Sequence, residues 1–178
     1  LISQSFSRTK PRSVAHVRQI ESEELISECL SKVEESHAYF IEHHAKRGPF
    51  YGYFNQSGEI TGFVKVTKAN WVIERLPGML GGIFTKLIRV TPGIRRIVKP
   101  GDHRFLVPES LWIKDNDPGV LSALLEGILA EEKVNMMLWF VDRREPLWRE
   151  TRQYVDWGLF HKMTPQPIVD VVVLRKNP

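Results

Sequence analysis

The stretch from Phe105 to Val141 constrains the fold more than any other part of the chain. Phe105 to Ile113 is a largely apolar run, and Lys114-Asp115-Asn116-Asp117-Pro118-Gly119 is a polar turn. From Val120 to Lys133 the apolar residues fall at 120, 121, 124, 125, 128 and 129, the repeat of one helical face. Met136 to Val141 is apolar without that period and reads as a buried strand. A strand, a helix and a second strand in this order need a crossover, which sets the two strands parallel. Asp117 or Asn116 can cap the helix and Pro118 suits its first position. Free amides at such an end attract anions. A further helix is expected from about Pro146 to Trp157, stopping at Gly158.

The flanking segments complete one domain. Residues 14–20 alternate loosely and predict a first strand. Residues 21–46 predict a helix capped by Ser22, with Leu25, Ile26, Cys29, Leu30 and Val33 as its apolar stripe and a break near Ser36. Gly48-Pro49 ends it. Residues 50–54 and 60–66 flank the polar loop 55–59 as a hairpin. Residues 168–174 form a β-branched strand with Asp170 as its odd member, and 175–178 a tail. Residues 1–13 are polar and basic and read as a tail or interdomain linker, unlike a signal peptide. Residues 14–178 then form a single α/β domain, which suits the C-terminal half of a longer protein with an N-terminal companion.

Composition narrows the chemistry. The chain is 42% hydrophobic and 26% charged, as in ordinary globular domains, and no apolar run reaches the ~20 residues of a membrane span. Its one cysteine, Cys29, excludes an internal disulfide and a paired-cysteine zinc site, and reads as a buried, inert thiol. His43 and His44 are adjacent, so on a helix they diverge by about 100° and form no ligand pair. No metal site is expected.

Residues 72–100 stand out as an insertion. Apolar residues there carry an irregular helical period, broken at Pro77-Gly78, Gly81-Gly82 and Pro92-Gly93. Between Gly62 and Pro100 the only acid, Glu74, faces Lys65, Lys68, Arg75, Lys86, Arg89, Arg95, Arg96 and Lys99. Three readings fit: a flap with solvated bases, the lining of an acceptor pocket that attracts an acidic substrate, or a face lying on an anionic membrane. The net charge of +4 invites a nucleic-acid reading. The bases are mixed with large aliphatics and no nucleic-acid module is recognisable, so no such partner is expected.

The chain resembles the GNAT N-acetyltransferase superfamily. Gly119-Val120-Leu121-Ser122-Ala123-Leu124-Leu125-Glu126 is similar to the family's Gly-Ile-Gly-Ser-Ala-Leu-Leu-Glu, and Tyr154-Val155-Asp156-Trp157-Gly158-Leu159-Phe160 to its Tyr-x-x-x-Gly-Phe. In the family's Gln/Arg-x-x-Gly-x-Gly/Ala loop, Asn116 takes the first place, Gly119 the first glycine and Leu121 the second. Leu147 and Glu150 stand where the family has Asn and Ala. The resemblance implies a mixed sheet flanked by helices, a helical insertion before the cofactor strand, and a cytoplasmic N-acyltransferase. It would move an acetyl group from acetyl-CoA directly to a small-molecule or peptide amine. Leu111 and Ile113 on the strand, with Asn116, Gly119, Val120 and Leu121 at the loop, would hold the cofactor. Glu109 would be the general base and Tyr154 the acid to the departing thiolate. Asp117 repels a pyrophosphate, Asn116 brings no charge and Leu121 adds bulk. The alternatives are therefore a GNAT-like domain without catalysis, serving interaction or regulation, or a basic-apolar module docking on a membrane or acidic partner.

Overall fold

The computed structural model describes residues 2–36, 48–72, 91–99, 101–159 and 161. Strands β1 (Ile2–Ser7), β2 (Val17–Ile20), β3 (Phe50–Phe54), β4 (Ile60–Trp71), β5 (His103–Ile113) and β6 (Met136–Val141) form one six-stranded sheet of order β1-β6-β5-β4-β3-β2. Helices α1 (Glu23–Ser36), α2 (Pro92–Ile97), α3 (Pro118–Glu131) and α4 (Pro146–Thr151) flank it. Every described pairing is antiparallel except β5 with β6, which is parallel, as the crossover at 105–141 requires.

The two-residue period of the strands sorts the core onto two faces. Phe50, Phe63, Phe105, Met136 and Leu138 meet α1 and α2, through Cys29, Leu30 and Val33 on one helix and Ile94 and Ile97 on the other. Tyr51, Val64, Val66, Leu106, Met137 and Trp139 meet α3 and α4, through Leu121, Leu124, Leu125, Ile128, Leu147 and Trp148. Each such side chain taken fully out of water contributes about 1.5–3 kcal/mol. Helix α3 also lies close on the sheet because Gly62 and Gly127 let it: a Cβ at Gly62 would sit 3.0 Å from Val120, and one at Gly127 2.7 Å from Val17.

Several expectations need correction. Residues 2–7 are not a tail; they pair along the whole of β6, with Ile2 and Phe6 at 2% and 1% exposure. The first strand of the expected domain starts at Val17, after a turn at 15–16. Strand β4 continues past 66 to Trp71, up to the edge of the expected insertion, because β5 starts early at His103 and offers it a partner. The helix expected from Pro146 to Trp157, α4, ends at Thr151, well short of Trp157. The second half of the helix expected over 21–46, most of the insertion and the strand expected over 168–174 lie outside the described residues. Among the described residues no helix is long and apolar enough to cross a membrane.

Burial makes the fold sensitive to alkali. Cys29 is fully buried, and burial pushes its thiol from 9.0 up to about 11. Tyr51 is pushed up as well, first by burial and then by its 2.8 Å hydrogen bond to Glu132. Above pH 9 the unfolded chain sheds the thiol proton while the folded chain keeps it. Stability is therefore intact below 9 and falls as pH rises through 11, by about 2–3 kcal/mol for a two-unit shift. Urea unfolding across this range should show the decline, and Cys29→Ala should flatten its lower part.

Candidate functional site

The site grows out of the parallel pair. Leu106 lies opposite Met137, and beyond this pair the strands part. Val107 to Leu111 on one side and Trp139 to Asp142 on the other wall a cleft of about 460 Å³, closed by Val33 from α1 and by Glu145 and Leu147 beside and on α4. Strand β5 bends here for a local reason. Phe63 pairs with Trp112 but Lys65 with Glu109, so β5 carries one extra residue, and Ser110 takes φ +49. Such a bulge increases twist and turns the strand away from its neighbour.

Glu109 stands on the cleft wall, its side chain 41% exposed. Its Oε2 meets Lys65 Nζ at 2.7 Å, and the Lys65 side chain is only 6% exposed. As a proton acceptor Glu109 would give up this ion pair. Asp142, at the rim, is held well below the usual carboxylate range by hydrogen bonds from the Arg144 side chain and backbone. Sequence alone does not single out Trp139, Asp142 or Glu145: β6 is apolar and buried almost throughout, and only the switch to polar residues at its end, from Asp142 to Glu145, holds a signal.

Beyond the cleft β5 runs into a 3-10 turn at Lys114–Asn116, with Asp115 and Asn116 in the left-handed region that short polar side chains tolerate. Helix α3 then begins with Asp117 as its cap. The N–H groups of Gly119 and Val120 donate to Asp117 Oδ1 at 2.7 and 3.2 Å. The N–H of Leu121 donates to the Asp117 carbonyl at 3.0 Å, and Pro118 has none. The amides expected to lie free are thus all satisfied by Asp117. Asn116 Nδ2 donates to Glu150 Oε2 at 2.9 Å, which ties the turn to α4. The one base of the turn, Lys114, is paired with Glu59 at 2.7 Å. Asp115, Asp117 and Glu150 therefore leave the mouth negative.

The other expected residues fall as follows. Leu121 is fully buried among core residues, so its bulk lies inside the core rather than at the mouth. Leu111 and Ile113 are buried at 4% and 3%, and of the two Leu111 lines the cleft. Tyr154 sits in the turn after α4, is 69% exposed and lies outside the cleft lining. The structure thus brings Glu109 and Leu111 together at the cleft, and Asn116, Gly119 and Val120 at the mouth. Among the described residues no three His, Cys, Asp or Glu side chains converge as a metal ion would need.

No family model matches the sequence, and no curated protein does. Two solved structures are similar. Both are Saccharomyces cerevisiae N-myristoyltransferase, one with bound myristoyl-CoA and one with myristoyl-CoA and inhibitors. Each superposes with a TM-score of 0.42, at 11% and 12% identity, over 83% and 79% of this chain. The chain spans 36% of the length of that protein.

Proposed function

We propose that this chain is an acyl-CoA-dependent N-acyltransferase, with acetyl-CoA as the first donor to test. The observation that supports it is the cleft between two parallel strands that diverge next to the N-terminus of α3, with Glu109 on its wall. In this reading the thioester lies along β5. The acceptor amine attacks the carbonyl carbon, Glu109 takes the amine proton, and the carbon–sulfur bond breaks to release CoA thiolate. The exposed position of Tyr154 favours water over its phenol as the proton donor to that thiolate.

A second reading, a GNAT-like binding module without catalysis, is favoured by the state of the mouth. A diphosphate must displace the Asp117 cap, worth about 1 kcal/mol. It also meets uncompensated carboxylates, each costing about 1 kcal/mol at 4 Å in water. With Asp115, Asp117 and Glu150 all counted, the sum of about 4 kcal/mol weakens CoA binding by roughly 700-fold, at 1.4 kcal/mol per tenfold.

Replacing Asp117 with Asn keeps a good cap and removes its charge. Acetyl-CoA should therefore bind Asp117→Asn about fivefold more tightly than the parent chain. Calorimetric titration and thermal shift measure this. Release of free thiol with an amine acceptor then supports transfer. No shift with either protein at millimolar acetyl-CoA or longer acyl-CoAs would sink the enzyme reading and leave the binding module.

A further inference from the structure

At the opposite end of β5 from the mouth, charge and apolar exposure meet. A polar cleft of about 170 Å³ is lined by Arg96, Lys99, Arg104 and Lys133, with Asp102 as the one acid. Asp102 is taken up by Arg104 at 2.9 Å and by Asn70 Nδ2 at 2.9 Å. Among the described residues Arg96, Lys99 and Lys133 have no ion pair. Arg95 adds a further exposed base, because Ile94 and Ile97 turn the apolar side of α2 onto Phe105, Met136 and Leu138 and leave its arginines outward.

The Asn70 hydrogen bond ties this basic cleft to the end of β4. There Trp71 and Val72 are 50% and 66% exposed, and Trp71 packs edge-on against Phe105. A half-exposed indole and a valine beside unpaired bases are of no use to a free phosphate. They suit a surface that is apolar just below a layer of negative charge. We propose that this end of the sheet docks on an anionic lipid bilayer, with Arg96, Lys99 and Lys133 on the headgroups and Trp71 and Val72 in the interface. The docking surface is independent of whether the β5–β6 cleft transfers an acyl group.

Co-sedimentation with phosphatidylcholine vesicles, with and without phosphatidylglycerol, tests it. Each base near an anionic surface contributes about fivefold to partitioning, so the unaltered chain should prefer anionic vesicles by tenfold or more and lose that preference in high salt. Arg96→Gln with Lys133→Gln, both at exposed positions, should lower anionic partitioning by about 25-fold without changing the melting temperature. Trp71→Ala should weaken binding several-fold while the salt dependence stays. Equal binding to neutral and anionic vesicles, or a double variant that binds like the parent, overturns the proposal. So does a short oligonucleotide that binds the parent and Trp71→Ala alike while vesicles bind neither.

Discussion

Replacing Gly158 with Ala should destabilise the fold by about 3 kcal/mol or more, a fall in melting temperature of roughly 6–12 °C for a chain of this size. Gly158 has φ +89, where a side chain is strained. Space is the larger problem: an ideal Cβ would lie 2.0 Å from the Ser7 carbonyl oxygen and 2.8 Å from Ser7 Oγ. The contact is with backbone, so no side-chain rotation relieves it. The end of β1 must move, and with it the hydrogen bond from Ser7 N–H to the Trp157 carbonyl, 3.0 Å long. Gly58→Ala is the control. Gly58 also has a positive φ, +81, but nothing lies within 4 Å of its Cβ position, so only the intrinsic cost of about 1 kcal/mol applies. Urea unfolding of both variants should separate them by about 2 kcal/mol; equal losses would mean that β1 does not pass where the structure puts it.

The elements with strong periodicity were legible in the sequence. The apolar positions of 120–129 place the buried face of α3, and the run at 136–141 is the strand that lies parallel to β5. The five-residue polar loop at 55–59 is there as expected, with Asn55 Oδ1 accepting from the Ser57 and Glu59 amides. β1 was illegible because only Ile2 and Phe6 of its six residues are apolar, and its pairing with β6 is set some 130 residues away. Gln4 is fully buried, which no local pattern foretells; its side chain meets His161 at 3.0 Å and the Trp148 indole at 3.5 Å.

The candidate site divides in the same way. Asp117 as the cap follows from local sequence. That one carboxylate would satisfy both amides behind it, and that Glu150 would hold Asn116, depends on backbone angles and on where α4 docks. The buried Lys65 beneath Glu109 is equally a matter of register: a bulge of one residue at Ser110 decides which side chain of β5 stands opposite it. Short-range chemistry was therefore readable, and long-range pairing was not.

Phe6→Ala should cost about 3–5 kcal/mol, the range for removing a buried aromatic ring. Phe6 is 1% exposed and meets the Trp157 ring edge-to-face at 6.3 Å. Arg8, whose guanidinium lies 4.2 Å from the Phe6 ring centre, reaches Glu126 on α3 at 3.2 Å. The ring thus joins β1 to α3 and to the segment after α4. A linker residue in this place would give a loss below 0.5 kcal/mol, the usual limit for surface positions. The same contacts predict that Phe6→Ala and Gly158→Ala do not add. Gly158 follows Trp157 and abuts Ser7, while Phe6 precedes Ser7 and packs on Trp157. Once alanine at 158 has pushed β1 aside, Phe6 has already lost much of its packing. The double variant should therefore lose less than the sum of the two, by about 1–3 kcal/mol, the coupling typical of residues in direct contact. Strict additivity in a double-mutant cycle would show that the first strand and the segment around Trp157 are anchored independently.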